Sequence, residues 1–118
     1  MGCRRSPLCK NHVVGSGEEI CEVVTGKDNP GLGMAFADIE HSEAHLHRRT
    51  RETYVLVSGA LHICLEDFSN HYLTTPGESL VIPIGWAHRA KSMNPEPARV
   101  LVISIPAWSP EDHILIKK

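Results

Sequence analysis

The sequence predicts an all-β protein that closes into a barrel or a two-sheet jelly roll. Short apolar segments recur along the 118 residues, separated by Gly, Pro, Asn and Asp, and no stretch keeps apolar residues at helical spacing over the length of a helix. Many short strands joined by close turns expose sheet edges, and closing the sheet is the general way to hide them. The chain length suits one domain.

Ten strands are predicted from the apolar segments. In chain order they cover residues 20–25, 32–39, 44–47, 52–57, 60–66, 72–74, 79–82, 87–92, 99–105 and 113–116. Segments rich in turn-forming residues separate them, at 26–31, 58–59, 67–70, 75–78, 83–85 and 94–97. We expect residues 1–15 to form a flexible N-terminal segment and residues 16–118 to form a single barrel domain.

Two of these strands show which face is expected to enter the core. In strand 52–57, alternation places one set on one face, namely Glu52, Tyr54 and Leu56. In strand 60–66 an aliphatic set alternates with His62 and Cys64, and it is expected to take the core: Leu61, Ile63 and Leu65.

Charge and hydropathy exclude several classes of partner. Twelve Lys and Arg residues against 14 Asp and Glu residues leave no basic surplus for nucleic acid. No apolar run approaches the roughly 18 residues of a membrane span, and the N-terminus lacks the apolar stretch of a secretory signal. We therefore expect a cytoplasmic protein that binds a small molecule, with no nucleic acid and no membrane as partner.

The four cysteines are irregularly spaced, and a domain with its own core does not need a disulfide framework. We therefore expect Cys3, Cys9, Cys21 and Cys64 to be free thiols. The first six residues, MGCRRS, match the N-myristoylation pattern with Gly2 as acceptor. The pattern is short and loose, and we interpret this match as coincidental.

A histidine pair in the segment EAHLHRRTRETYVLVSG suggests a metal site. His45 and His47 alternate with Leu46, so on a strand they project from the same face roughly 7 Å apart. The polar tract 48–51 reads as a turn that folds Glu52 back beside the pair. Two imidazoles and a carboxylate suit a divalent transition metal ion such as iron, manganese, nickel, cobalt or zinc. The pair by itself is also compatible with a polar surface strand.

His88 is the best candidate for a fourth ligand. It follows Pro83, Gly85 and Trp86, a turn that would deliver it onto a new strand at a fixed angle. The remaining histidines have no partner at comparable spacing: His12, His41, His62, His71 and His113.

With Glu52 and His88 included, the chain resembles the cupin family in two separated motifs. The first motif is matched by His45, His47, Glu52 and Gly59. The second is matched by Gly77, Pro83, Gly85 and His88. Two family positions differ, Ile39 where a glycine is usual and Ser92 where an asparagine is usual, and neither is a ligand position.

The resemblance implies a double-stranded β-helix barrel with four inward-pointing metal ligands, His45, His47, Glu52 and His88, that hold one divalent transition metal ion. It also implies positive φ angles at Gly59 and Gly77, where strands end. Many single-domain cupins dimerise, so a homodimer is expected, through residues 20–24 or the face that carries Val55 and Val57.

Four protein ligands on an ion that prefers six leave two positions open to water, substrate or dioxygen. Such a site suits an isomerase or lyase acting on a sugar or oxo-acid, or a dioxygenase. A non-catalytic sensor or binding module is the competing hypothesis. Tyr54, inward beside Glu52, is the candidate proton shuttle, with core packing as its alternative role. A basic cluster on the turn between the ligands either attracts an anionic substrate or is part of a solvated loop: Arg48, Arg49 and Arg51.

Overall fold

Two antiparallel sheets make up the computed structural model, which describes residues 9–15 and 17–116. Its strands are β1 Asn11–Gly15, β2 Glu18–Val24, β3 Gly33–Ile39, β4 His45–Leu46, β5 Arg51–Ser58, β6 Leu61–Leu65, β7 Asn70–Leu73, β8 Ser79–Ile82, β9 His88–Ser92, β10 Ala98–Ile105 and β11 Ile114–Leu115. A short 3-10 helix, Pro110–Asp112, lies between β10 and β11. The predicted all-β jelly-roll barrel is confirmed.

Strand order in the two sheets shows how distant parts of the chain meet. The first sheet has the order β1-β2-β3-β10-β5-β8, and the second has the order β11-β4-β9-β6-β7. Strand β10 lies between β3 and β5, and β9 lies between β4 and β6, so sequential neighbours are often separated in space. The strand that carries His45 is therefore a direct neighbour of the strand that carries His88.

The core lies between the inward faces of the two sheets. Strand β5 buries Tyr54 and Leu56, while β6 buries the predicted aliphatic set, Leu61, Ile63 and Leu65. On the strand next to β5, Val100 of β10 lies opposite Leu56 and is buried with it. The same inward alternation that builds the core also turns Glu52 inward, because Glu52 lies two residues before Tyr54.

Gly59, directly after β5, and Gly77, in the turn between β7 and β8, have the positive φ angles that were expected. Gly59 has φ +82° and Gly77 has φ +96°, both in the region that glycine adopts readily. A side chain at Gly59 would also lie within 3.2 Å of Ala98 Cα. Replacing Gly59 would therefore strain the β5–β6 connection in two ways.

Strand β1 was not predicted. It lies at residues 11–15, in the segment for which flexibility was expected, and it pairs with β2 through contacts such as Val13 opposite Ile20. With only two apolar residues in its five positions, the segment carries too little pattern to predict a strand. Its conformation depends on the hydrogen bonds to β2. Residues 1–8 and the MGCRRS motif lie outside the described residues.

The expectation of free thiols is wrong for two cysteines. Cys9 and Cys21 are disulfide-bonded, whereas Cys64 is free and Cys3 lies outside the described residues. The β1–β2 pairing explains the contact, since Cys21 lies opposite His12 and the Lys10 amide donates to Glu22 O at 2.7 Å. Without β1, the sequence offered no reason to place the two thiols together.

Within residues 9–15 and 17–116, the structure has no helix of the length and apolar character needed to cross a lipid bilayer.

Candidate metal centre and its cavity

The four predicted ligand residues lie together inside the barrel. His45 of β4 pairs directly with His88 of β9, His47 follows one residue after β4, and Glu52 lies on β5 in the opposite sheet. All four are buried, and their ligand atoms lie within 4.8 Å of one another. This group of three imidazoles and a carboxylate can hold a metal ion.

Backbone carbonyls orient all three imidazoles in the same way. The Nδ1 atoms of His45, His47 and His88 lie 2.7, 2.9 and 3.2 Å from the carbonyl oxygens of Glu43, Asp112 and Trp86. A carbonyl oxygen only accepts, so each Nδ1 must donate its hydrogen. Each Nε2 is thereby left as the atom available to a metal ion, which is the usual arrangement around ligating histidines.

Three ligand atoms in this group are buried without a hydrogen bond. Among the described residues, His47 Nε2, His88 Nε2 and Glu52 Oε1 have no hydrogen-bond partner. Glu52 Oε1 lies 3.1 Å from His47 Nε2 and 3.4 Å from His88 Nε2, so the atoms face a shared space. Burying polar atoms unpaired is costly, and one cation among them satisfies all three. The residues therefore fit a divalent transition metal ion.

Burial and mutual charge shift the pKa values of the ligand residues. Burial, helped by the neighbouring His88, lowers the pKa of His45 to about 3, which keeps its imidazole neutral. Burial acts against the charged forms of His47 and Glu52 as well. Their contact with each other prevails, so the pKa of His47 is raised and that of Glu52 is lowered.

Asp112 is a supporting residue that the sequence analysis missed. Its backbone oxygen accepts a hydrogen bond from His47 Nδ1. Its carboxylate accepts hydrogen bonds from the backbone amides of Arg48, Arg49 and Thr50, at 2.8, 3.0 and 3.1 Å. Burial raises the pKa of this carboxyl, but the three amide hydrogen bonds outweigh burial and hold it below its usual range. The 3-10 helix thus clamps the loop that joins His47 to Glu52.

His113, which the sequence analysis left without a partner, also lies at the site. Its ring stacks on His45 with centroids 4.4 Å apart and planes within 21°, and it lies 5.5 Å from the His47 ring. Three of the other histidines have partners elsewhere: His12 with Glu19, His62 with Tyr72, and His71 with Ser69. No spacing rule connects position 113 with position 45, so the sequence held no signal for this contact.

Tyr54, the predicted proton shuttle, is buried on β5 beside the group. Its ring centroid lies 6.2 Å from that of His88, and its side chain lines a cavity inside the barrel. Burial, together with Glu52 and Glu18, raises the pKa of Tyr54 well above its usual value. The phenol is therefore protonated at neutral pH and suited to donate a hydrogen bond.

A cavity of about 370 Å³ lies over the candidate metal-binding group. Its polar lining includes His45, His47 and Glu52 from the group, with His113 and Glu18 beside them. The rest is largely apolar: Val13, Ile20, Met34, Ala35, Ala37, Ile39, Val102, Trp108, Pro110 and Leu115. A small molecule in this cavity would reach the metal-binding group directly.

A family model described as "Cupin domain" matches residues 34–104, more than half of the chain. The chain therefore belongs to the cupin family, as its two motifs predicted. A search of curated protein sequences found no match.

Solved structures show the same fold at low identity. KdgF from Halomonas sp. is 22% identical, with a TM-score of 0.72 over 86% of this chain and 90% of its own. Streptomyces Pac13 in a structure with uridine is 14% identical, with a TM-score of 0.77 over 91% and 84%. Bacillus subtilis oxalate decarboxylase is 16% identical, with a TM-score of 0.75 over 90% of this chain and 30% of that enzyme.

Proposed function

We propose that this protein is a metal-dependent enzyme that acts on a small polar molecule bound in its barrel. One divalent transition metal ion would be held by His45, His47, Glu52 and His88. The observation that carries this proposal is the set of unpartnered buried ligand atoms in a group that lines an open cavity. A barrel with a purely structural role would gain nothing from burying these polar atoms.

The residues around the group each have a part in such chemistry. A bound metal ion supplies Lewis-acid polarisation of a substrate carbonyl or hydroxyl, or a site for dioxygen, so isomerase, lyase and dioxygenase reactions on sugar-derived molecules or oxo-acids fall within its scope. The Tyr54 phenol donates a hydrogen bond to an oxygen of the substrate, and its burial keeps the proton on that phenol. The apolar wall excludes water from the reacting atoms.

Similar structures support an enzyme as the class. Two of them are named for catalytic proteins, an oxalate decarboxylase and the nucleoside dehydratase Pac13. The competing function is a non-catalytic binding module in which the same ion holds a ligand without turnover. The apolar part of the lining favours this alternative, because it can hold the body of a ligand without taking part in proton transfer.

The first experiment is elemental analysis of protein purified without added metal, for the wild type and for His47→Ala. We expect about one transition metal ion per chain in the wild type and loss of that metal in the variant with the fold retained. His62→Ala is the matched control, because His62 lies on β6 and stacks on Tyr72 away from the cavity. Unchanged metal in His47→Ala would show that the proposed ligand set is wrong.

The second experiment separates the enzyme from the binding module. Metal-loaded protein is incubated with a panel of sugars and oxo-acids, with and without dioxygen, and consumption is followed by mass spectrometry. Consumption that stops in His47→Ala supports an enzyme, and dependence on dioxygen assigns dioxygenase chemistry. Saturable binding of a panel member without consumption favours the binding module.

We also propose a homodimer formed through the outer face of the first sheet. The residues that alternate with the inward set there are apolar on three neighbouring strands: Phe36, Val55, Val57, Leu101 and Ile103. Val57 is 40% exposed. Beside this apolar patch, the Arg99 guanidinium donates two hydrogen bonds to the Asp38 carboxylate. Light scattering after size exclusion should give twice the chain mass, and Val57→Lys should shift the protein to monomer.

A further inference from the structure

Acidic side chains dominate the charged part of the cavity wall. Four carboxyl groups line it, those of Glu18, Glu22, Glu43 and Glu52, and no Lys or Arg is among its described lining residues. The cluster Arg48, Arg49 and Arg51, considered above as an attraction for an anionic substrate, is exposed and does not contribute to this lining. Away from the metal ligands, the wall therefore repels an anion.

Glu18 is the carboxyl group in this wall that is left for a ligand. Glu52 belongs to the metal-binding group, Glu22 accepts a hydrogen bond from Asn11 Nδ2 at 2.6 Å, and Glu43 is exposed. Glu18 is only partly exposed, and within the described residues its side chain makes no hydrogen bond and no ion pair. It lies on β2 opposite Ile39, on the inward face of the first sheet.

The surroundings of Glu18 disfavour the charged form of its carboxyl group. Burial, followed by the repulsion of Glu52, raises the pKa of Glu18 to about 7. A cationic group on a bound ligand would favour the charged form of Glu18, because it supplies a charge-assisted hydrogen bond where water is scarce.

Apolar side chains make up much of the rest of the cavity wall. They include Val13 of β1 and Ile20 of β2, together with Met34, Val102 and Trp108. A ligand that fills this space gains from an apolar body and has nowhere to place a second anionic group.

We propose that the molecule bound in this cavity is a small amine: a polar head for the metal ion, an apolar body, and a protonated amino group that pairs with Glu18. The inference rests on the metal-dependent function proposed above and narrows its substrate class. Among the classes left open there, it disfavours oxo-acids that carry a second anionic group away from the metal ion.

Three catechols test this with the metal-binding head held constant. Dopamine, 4-ethylcatechol and 3-(3,4-dihydroxyphenyl)propionate share the catechol and differ in a cationic, neutral or anionic side arm. Their Kd values are measured by calorimetry on zinc-loaded protein without dioxygen, so that no redox step intervenes. Dopamine should bind about 10-fold more tightly than the propionate, as expected for a hydrogen bond between charged groups.

The variant Glu18→Gln keeps the shape of the side chain and removes its charge. It should bring the Kd of dopamine to that of 4-ethylcatechol, whose own Kd stays unchanged. Glu40→Gln is the control, because Glu40 is exposed and outside the cavity lining, and it should keep the preference for the amine. Equal or tighter binding of the propionate, or a preference that survives in Glu18→Gln, would overturn the inference.

Zinc content, measured on every sample, separates this inference from the function on which it rests. A protein that retains zinc and shows no preference for the amine refutes the inference alone. A wild-type protein that retains neither zinc nor any other transition metal in the elemental analysis refutes the proposed function, and the inference falls with it.

Discussion

His47 Nδ1 donates a hydrogen bond to the backbone oxygen of Asp112 at 2.9 Å, across 65 positions of sequence. The carboxylate of the same aspartate accepts hydrogen bonds from three backbone amides in the loop that follows His47. Asp112 therefore orients an imidazole of the candidate metal site and also holds the connection that carries the chain to Glu52. The 3-10 helix Pro110–Asp112 is in this sense part of the candidate metal site.

Replacing Asp112 with asparagine should weaken metal binding without unfolding the protein. The asparagine amide offers one acceptor oxygen and places an NH2 group against amide donors, so the loop after His47 is held less firmly. We expect metal affinity to fall about 10-fold, as is typical when a partner of a metal ligand is lost. Competition with a chromophoric chelator measures it. Glu111→Gln, at the exposed neighbouring position, should match the wild type, and equal affinity in Asp112→Asn would contradict the role given to Asp112.

Acid should reduce the stability of the wild type more than that of Asp112→Asn. Because the folded-state pKa of Asp112 is lowered, its carboxylate contributes stability that is fully present above its unfolded pKa, about 3.9, and is lost as pH falls through the folded value. The gap in Tm between metal-free wild type and Asp112→Asn should therefore shrink between pH 6 and about pH 3. Thermal unfolding followed by circular dichroism across that range measures the gap. A gap that does not change with pH would contradict the assignment.

Two adjacent residues on β5 should differ sharply in their effect on stability. Leu56 is 1% exposed in the core and Val57 is 40% exposed on the outer face. Leu56→Ala should lower the free energy of unfolding by about 2–5 kcal/mol, through lost burial and the cavity left behind. Val57→Ala should cost about 0.5 kcal/mol or less in the monomer. Urea titration at low protein concentration compares them, and similar losses would show that the inward face is misassigned.

Tyr54→Phe separates the two roles considered for this side chain. The substitution keeps the ring that packs in the core and removes the hydroxyl. If the phenol donates to the substrate, turnover should fall about 100-fold while metal content stays unchanged. Tyr72→Phe, at an exposed position, should leave turnover alone. Turnover is measured with the first substrate identified in the panel of sugars and oxo-acids. Unchanged turnover in Tyr54→Phe would assign Tyr54 to core packing.

Local pattern was enough to determine the strands and the family. All ten predicted strands have counterparts, because alternation of apolar residues and Gly- or Pro-rich turns act over a few neighbouring positions. The spacing of His45, His47 and Glu52 within one strand-turn-strand unit is local in the same way. His88 was found because it closes a second motif, and the structure brings it beside the other three.

Only the tertiary structure decided what surrounds those four residues. Strand β1 and the Cys9–Cys21 disulfide depend on pairing with β2, for which residues 11–15 carry too little pattern. Asp112 contributes its backbone oxygen and its carboxylate, and its partners lie 62 to 65 positions earlier in the chain, so no local spacing marks it in the sequence. His113 and Glu18 reach the cavity from positions far apart in the chain. The amino-acid sequence by itself thus determined the fold and the metal ligands it predicts, whereas long-range pairing decided their support, their neighbours and the charge of the cavity.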